Sequence, residues 1–197
     1  RQMCIRDRAT LQARFADTLK RRNETELAAV VTPGFGSKGD ARARIGSNDD
    51  ANAANTAVMV AGDQIWALWE AGSPLAMNPS DLSTAGFVTL RDDLKGMPFQ
   101  PHPRYASDGS IWNVGVAGRR AVIWRLNPDR SLNDAQIVDL PRASYMHDFT
   151  ATDRHIILVL QPWVFETRAM PVIAGLAWRP ETGTQVLVLD KDDLSKR

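Results

Sequence analysis

With 197 residues the chain is long enough to bury a sizeable core, and 44% of its residues are hydrophobic. Its 24 basic and 23 acidic side chains leave a formal net charge of +1, so charge gives no basis for a nucleic-acid partner or for strong steering of a ligand. No apolar run reaches the length of a membrane span, and the single cysteine, Cys4, leaves neither an internal disulfide nor thiol catalysis to argue.

The N-terminus is anomalous. Met3-Cys4-Ile5-Arg6-Asp7-Arg8 is what a transposase adapter used in sequencing libraries yields when translated, so residues 1–8 are read as a processing scar outside the fold. Leu11, Phe15 and Leu19 have the spacing of one face of an amphipathic helix, and Glu24 to Val31 reads as a second helical turn. Pro33 to Gly39 is glycine-rich but lacks the Gly-Lys-Ser/Thr ending of a phosphate loop, which argues against a nucleotide site. Residues 9–54 are therefore taken as an N-terminal segment, with a mobile loop from Gly34 to Ala54.

From Asn55 onward short strands alternate with turns, the all-β pattern. Ala57 to Val60 and Ile65 to Trp69 flank Gly62-Asp63 as a tight hairpin. Ser110 to Val116 and Ala121 to Leu126 form a second hairpin, and the Asn127-Pro128-Asp129-Arg130 turn leads to Ala135 to Leu140. His155 to Leu160 is a largely apolar strand. Leu176 to Arg179 and Gln185 to Asp190 flank the Pro180 to Gly183 turn. These elements fit a propeller, a sandwich or a barrel equally well.

Two histidine motifs carry the chemistry. His102 lies between Pro101 and Pro103, and fixed proline φ angles hold such a ring on stiff, extended backbone. His147, in Tyr145-Met146-His147-Asp148-Phe149, follows 45 residues later (147 − 102). Both are rigid placements suited to metal ligands. Spacing alone is a weaker signal than a Cys-x-x-Cys pair, and a buried structural histidine is the default reading. His155 reads as a turn or strand-edge residue.

Several motifs in order resemble the carotenoid cleavage oxygenase family, which includes apocarotenoid and stilbene dioxygenases and the visual-cycle isomerase. Asn55-Thr56-Ala57-Val58 resembles the family's Asn-Thr-Asn-Val stretch, and Leu68-Trp69-Glu70-Ala71-Gly72-Ser73-Pro74 its Leu-Trp-Glu-Gly-Gly-x-Pro signature. His102-Pro103, followed by Asp108-Gly109 and Asn113-Val114-Gly115, resembles its Ala-His-Pro motif, Asp/Gly turn and Asn-x-Gly run. Met146-His147-Asp148-Phe149 resembles its Met/Val-His-Asp/Ser-Phe motif, and Leu176-Ala177-Trp178 with Gly183 to Val186 the following blade edge.

The resemblance implies a partial seven-bladed β-propeller over residues 55–197, truncated at its C-terminus, holding one ferrous ion through four histidines backed by three glutamates. His102 and His147 would be the first two ligands and Glu70 the first of the glutamates; the other ligands would lie beyond Arg197. Neutral imidazoles suit ferrous iron and leave positions for dioxygen and substrate, and a carboxylate on the ring's far nitrogen fixes its tautomer. Alone, Glu70 would read as a surface carboxylate at a strand end.

The implied activity is cleavage of a carbon–carbon double bond in an apolar polyene, a carotenoid or apocarotenoid, by iron and dioxygen. Phe99, Trp69, Trp163 and Phe165 are candidates to line its tunnel, though for Phe99, Trp163 and Phe165 ordinary core is the favoured reading, since aromatics dominate core burial. Stilbene-cleaving members carry lysine just before the glutamate, where it meets the substrate phenol; Trp69 stands there instead, which favours a carotenoid or apocarotenoid over a stilbene, and the motif details resemble bacterial cleavage enzymes more than the isomerase. Gln100 and Pro101 depart from the family's small residue and alanine before the histidine. A fragment with two ligands is expected to be inactive by itself. A non-catalytic propeller that binds a partner through its face is the alternative from another class. A cytoplasmic protein is expected, with peripheral membrane contact to extract substrate; a leader ahead of the native start would fall outside this sequence, and nothing in it sets an oligomeric state.

Overall fold

The computed structural model describes residues 11–196; the adapter-like segment and Cys4 lie outside them. One short helix precedes thirteen strands arranged in four antiparallel sheets, so the described chain is all-β apart from α1 (Leu19–Glu26) and brief 3-10 turns.

The first sheet is a meander of β1 (Ala57–Ala61), β2 (Gln64–Leu68), β3 (Leu75–Met77) and β4 (Thr84–Phe87) in sequential order. Its first turn pairs Ala61 with Gln64, leaving Gly62-Asp63 as a two-residue loop in which Gly62 takes φ 61°, a value that favours glycine. The second meander contains β5 (Arg104–Tyr105), β6 (Ile111–Ala117), β7 (Arg120–Leu126) and β8 (Leu132–Asp139). Here Ala117 pairs with Arg120, so the turn is narrowed to Gly118-Arg119.

β6 and β7 are buried on both faces, whereas β8 is buried only at every third residue. The cause is position. One face of this sheet, with Val122, Trp124 and Leu126, packs on Met59, Trp66 and Leu68 of the first sheet. The other, with Trp112, Val114 and Ile123, packs on Ile156, Leu158, Leu160 and Leu189 of the third. A strand covered on both sides reads as a near-continuous apolar run rather than an alternation. Stacking of successive meanders through their faces is blade-like packing.

The third sheet has the order β13 (Gln185–Asp190), β10 (His155–Leu160), β9 (Thr150–Ala151), and β11 (Trp163–Phe165) pairs with β12 (Leu176–Trp178) as a separate ribbon. Although β12 and β13 flank the Pro180 turn, they do not pair with each other. β13 returns to β10, with Leu189 opposite Ile156.

The N-terminal segment differs from the sequence expectation. The helix implied by the spacing of Leu11, Phe15 and Leu19 does not form through Leu11 and Phe15. These residues run irregularly, with Leu11 93% and Phe15 78% exposed. Tertiary bonds override the spacing: Asp17 N donates to Thr84 Oγ1 at 2.9 Å, and Arg14 reaches the Asp81 carbonyl at 3.3 Å. The helix starts instead at Leu19, where the Thr18 hydroxyl accepts from Arg21 N. It ends at Glu26, short of Val31. The segment 34–54 makes hydrogen bonds to the rest of the chain near both ends. Val172 N and Ile173 N donate to the carbonyls of Gly34 and Phe35, each at 3.0 Å, and the Asp49 carboxylate accepts from Ser73 N at 2.7 Å and Ser73 Oγ at 2.8 Å.

Candidate metal centre

Three chain segments meet just past β2 and just ahead of β5 and β9. Just past β2, Trp69 bridges to Phe99, and Phe99 N donates to Gly72 O at 3.0 Å, which sets Glu70 beside the 98–102 segment. Gln100 N donates to Val114 O at 3.2 Å, and Asn113 Nδ2 donates to Gln100 O at 2.7 Å, so the same segment is stitched onto β6. The third segment, 145–148, is reached by the Gln100 side chain, whose Nε2 donates to Met146 O at 2.9 Å.

This stitching brings His102 and His147 together. Their Nε2 atoms are 3.2 Å apart, with ring centroids separated by 4.9 Å and the rings inclined at 66°. Behind His147 its Nδ1 contacts a Glu70 carboxylate oxygen. If Nδ1–H donates to that oxygen, the lone pair of His147 is on Nε2 and faces His102. The two rings and Glu70, far apart in the sequence, form one chain of contacts.

A second tie lies outside the pair. Arg104 NH2 donates to both oxygens of the Asp148 carboxylate, at 2.7 and 2.8 Å, and its Nε donates to Phe149 O at 3.0 Å. The histidine pair is thus bracketed by the buried Gln100 bond on one side and the half-exposed Arg104–Asp148 pair on the other. An ion pair this exposed contributes at most about 1 kcal/mol. Tyr145 also belongs to the site. Burial raises its phenol above the ordinary value, and the neighbouring Glu70 carboxylate adds to the shift, so it stays a neutral O–H donor facing that carboxylate. Its ring packs on Phe35 at 5.4 Å. The sequence reading takes Tyr145 and Asp148 only as neighbours of His147 within its motif and does not single out Arg104.

The tunnel candidates are dispersed. Phe99 is fully buried between Trp66, edge-on at 6.4 Å, and Trp124 at 6.2 Å, which is core packing. Trp69 is partly covered beside Glu70. Trp163 is 38% exposed and packs on Trp178 at 5.5 Å, and Phe165 is half-buried one pleat further along β11. A cavity of about 350 Å³ lies between β5 and β9, where Arg104, Tyr105, Thr152, Asp153 and Lys191 line it beside two alanines, a mostly polar setting unlike a polyene tunnel. His155 opens β10, where its N donates to Thr152 Oγ1 at 3.0 Å in a turn contact.

The donor set fits a metal ion. Two imidazole nitrogens at about 2.1 Å from one first-row ion stand about 3.0 Å apart at a right angle and about 3.4 Å apart at a tetrahedral one. The observed 3.2 Å lies between these values. Among the described residues no cluster of three or more His, Cys, Asp or Glu side chains converges as a metal site.

Blade-like antiparallel sheets carrying paired imidazoles on their connecting segments define an all-β, propeller-like scaffold with a histidine pair suited to a metal ion. The chain belongs to the family described as RPE65, retinal pigment epithelial membrane protein, whose profile matches residues 1–197. It is 28% identical over 160 residues to the apocarotenoid-15,15'-oxygenase of Synechocystis sp., covering 72% of this chain and 32% of that protein. To resveratrol cleavage oxygenase 1 of Aspergillus fumigatus it is 27% identical over 136 residues, covering 66% and 27%. The fold is similar to that of a point variant of the Synechocystis apocarotenoid oxygenase, with a TM-score of 0.77 at 20% identity over 91% of this chain and 42% of that one. It is also similar to the lignostilbene dioxygenase of Pseudomonas brassicacearum, with a TM-score of 0.76 at 22% identity over 91% and 38%. The chain spans less than a third of the length of these two curated relatives.

Proposed function

We propose that the protein carrying this chain is a non-haem ferrous dioxygenase that cleaves a carbon–carbon double bond of a carotenoid or apocarotenoid. The observation that carries this reading is the convergence of His102 Nε2 and His147 Nε2 at 3.2 Å with Glu70 behind His147. Bound ferrous iron would supply dioxygen activation. The chain's own residues hold and orient: His102 and His147 present neutral nitrogens, and Glu70 keeps the His147 proton on Nδ1 so that Nε2 stays available. The remaining ligands, and the further blades of a seven-bladed ring, belong to the protein beyond this chain.

The substrate class follows from Trp69. Beside the carboxylate it offers an apolar face and an indole N–H, with no cation for a phenolate, so a hydrocarbon polyene suits it better than a hydroxystilbene. Relatives that cleave resveratrol or lignostilbene make the phenolic stilbene the second substrate to assay.

The test is to express the intact gene product anaerobically with ferrous iron and quantify bound metal. Wild type is expected to hold about one iron per chain and His147→Ala to lose it. Glu70→Ala is expected to fold but to bind iron about 10- to 100-fold more weakly, because the ring loses its orienting acceptor; equilibrium dialysis reads this directly. A folded wild type without iron would reject the oxygenase and leave a propeller-like scaffold that binds by its face.

A further inference from the structure

We infer that Gln100 is a positioning residue that sets the separation of the two histidines, a tie built into this chain where the family resemblance leads one to expect a small side chain. This role rests on the ferrous reading above.

Gln100 stands two residues before His102, and its amide bonds the residue immediately before His147. It is 2% exposed, and Nε2 donates to Met146 O at 2.9 Å. Its own backbone is fixed to β6 on both sides, through Gln100 N to Val114 O at 3.2 Å and Asn113 Nδ2 to Gln100 O at 2.7 Å. Movement of the 145–148 segment relative to β6 must therefore stretch the Gln100 amide bond. The outer tie, Arg104 to Asp148, is half-exposed, and solvent can replace it. The inner tie is dry, so it is the stiffer of the two.

The amide is not placed for stability alone. Its Oε1 is buried without a hydrogen-bond partner among the described residues. A buried acceptor left unpaired opposes folding, and such a group calls for a reason beyond packing. Here the reason is the donor at the other end of the same amide, which reaches Met146.

The discriminating substitution is Gln100→Met, which keeps length and approximate volume while removing both the donor and the unpaired oxygen. In the intact gene product, Gln100→Met is expected to unfold near the wild-type temperature yet bind ferrous iron about tenfold more weakly. Cobalt(II) used as a probe should show a shifted visible spectrum, since the spectrum reports the ligand arrangement and not stability. Met77→Ala, a buried truncation in the separate cluster that holds Ala67 and Leu75, is the control. It should lower the unfolding temperature while leaving iron affinity and the cobalt spectrum at wild-type values. If Gln100→Met does not fold, Gln100→Asn, which keeps a buried amide one methylene too short, should show the same loss of affinity. Wild-type affinity and spectrum in a folded Gln100 variant would overturn the positioning role while leaving the oxygenase standing. A wild-type protein that binds neither iron nor cobalt would overturn both.

Discussion

Replacing Gly115 with alanine is expected to unseat the segment that carries His102. A Cβ at this position would stand 1.7 Å from the Pro98 carbonyl oxygen, 2.6 Å from its carbonyl carbon and 3.2 Å from its Cα. All three are backbone atoms, so no rotamer change relieves the clash. Glycine is required here for space, in contrast to Gly62 and Gly118, which take positive φ and whose added Cβ would meet nothing within 4 Å. To admit the methyl, residues 98–100 must lift away from β6, breaking the Gln100 N to Val114 O bond and the Trp124 Nε1 to Pro98 O bond. Overpacking against fixed neighbours costs about 1–3 kcal/mol and occasionally more; with two hydrogen bonds lost besides, about 3 kcal/mol or more is expected. Urea unfolding reads the stability, and iron content reads the displacement of His102. Gly62→Ala is the comparison, since left-handed backbone alone costs about 1–2 kcal/mol. If Gly115→Ala proves no worse than Gly62→Ala, the close approach is not what fixes the 98–102 segment.

Much of this arrangement was readable from the residues, for physical reasons that differ from element to element. The β1–β2 and β6–β7 hairpins follow from glycine-containing turns between apolar runs, a local signal that tertiary context reinforces. The strand from His155 to Leu160 matches β10 residue for residue because it is the buried middle of its sheet. Where partners are distant in sequence, local reading gives no guide. β12 and β13 are neighbours along the chain yet pair with β11 and β10, so the Pro180 turn joins two ribbons rather than closing a hairpin. The spacing of Leu11, Phe15 and Leu19 implied a helix that bonds from Asp17 and Arg14 to residues 81–84 prevent.

The site divides in the same way. His102, Glu70 and His147 were identifiable from motif resemblance, and folding places them in one contact chain. The residues that hold them there were not, because their roles are defined by where they meet. Gln100 is only a departure from a pattern in the sequence until Met146 O lies at the end of its side chain, and Tyr145 only a neighbour of His147 until Glu70 stands before it. Phe99, considered for a tunnel, is instead the hub that carries the Trp69 bridge and the bond to Gly72 into the aromatic core.

That core makes Trp124 the other position where a single change should have a large effect. Its side chain is 2% exposed on β7, its ring lies 6.2 Å from Phe99, and its Nε1 donates to Pro98 O at 2.9 Å. Trp124→Ala is expected to cost about 3–5 kcal/mol, from lost apolar burial and the cavity left against Phe99. The hydrogen bond can be separated from the volume. Trp124→Phe keeps most of the ring but leaves the Pro98 carbonyl without its indole donor, for which about 1–3 kcal/mol is expected. The two variants also differ at the histidines. With the phenyl ring in place Phe99 keeps its support and His102 should hold position, so Trp124→Phe should retain iron, whereas Trp124→Ala lets the 98–102 segment sink toward the void and should lose it. Urea midpoints and iron content measured on both variants give the comparison. Equal iron loss in the two would assign the positioning of His102 to the indole bond, and equal retention would show that the 98–102 segment is held from β6 and Gln100 without help from the aromatic core.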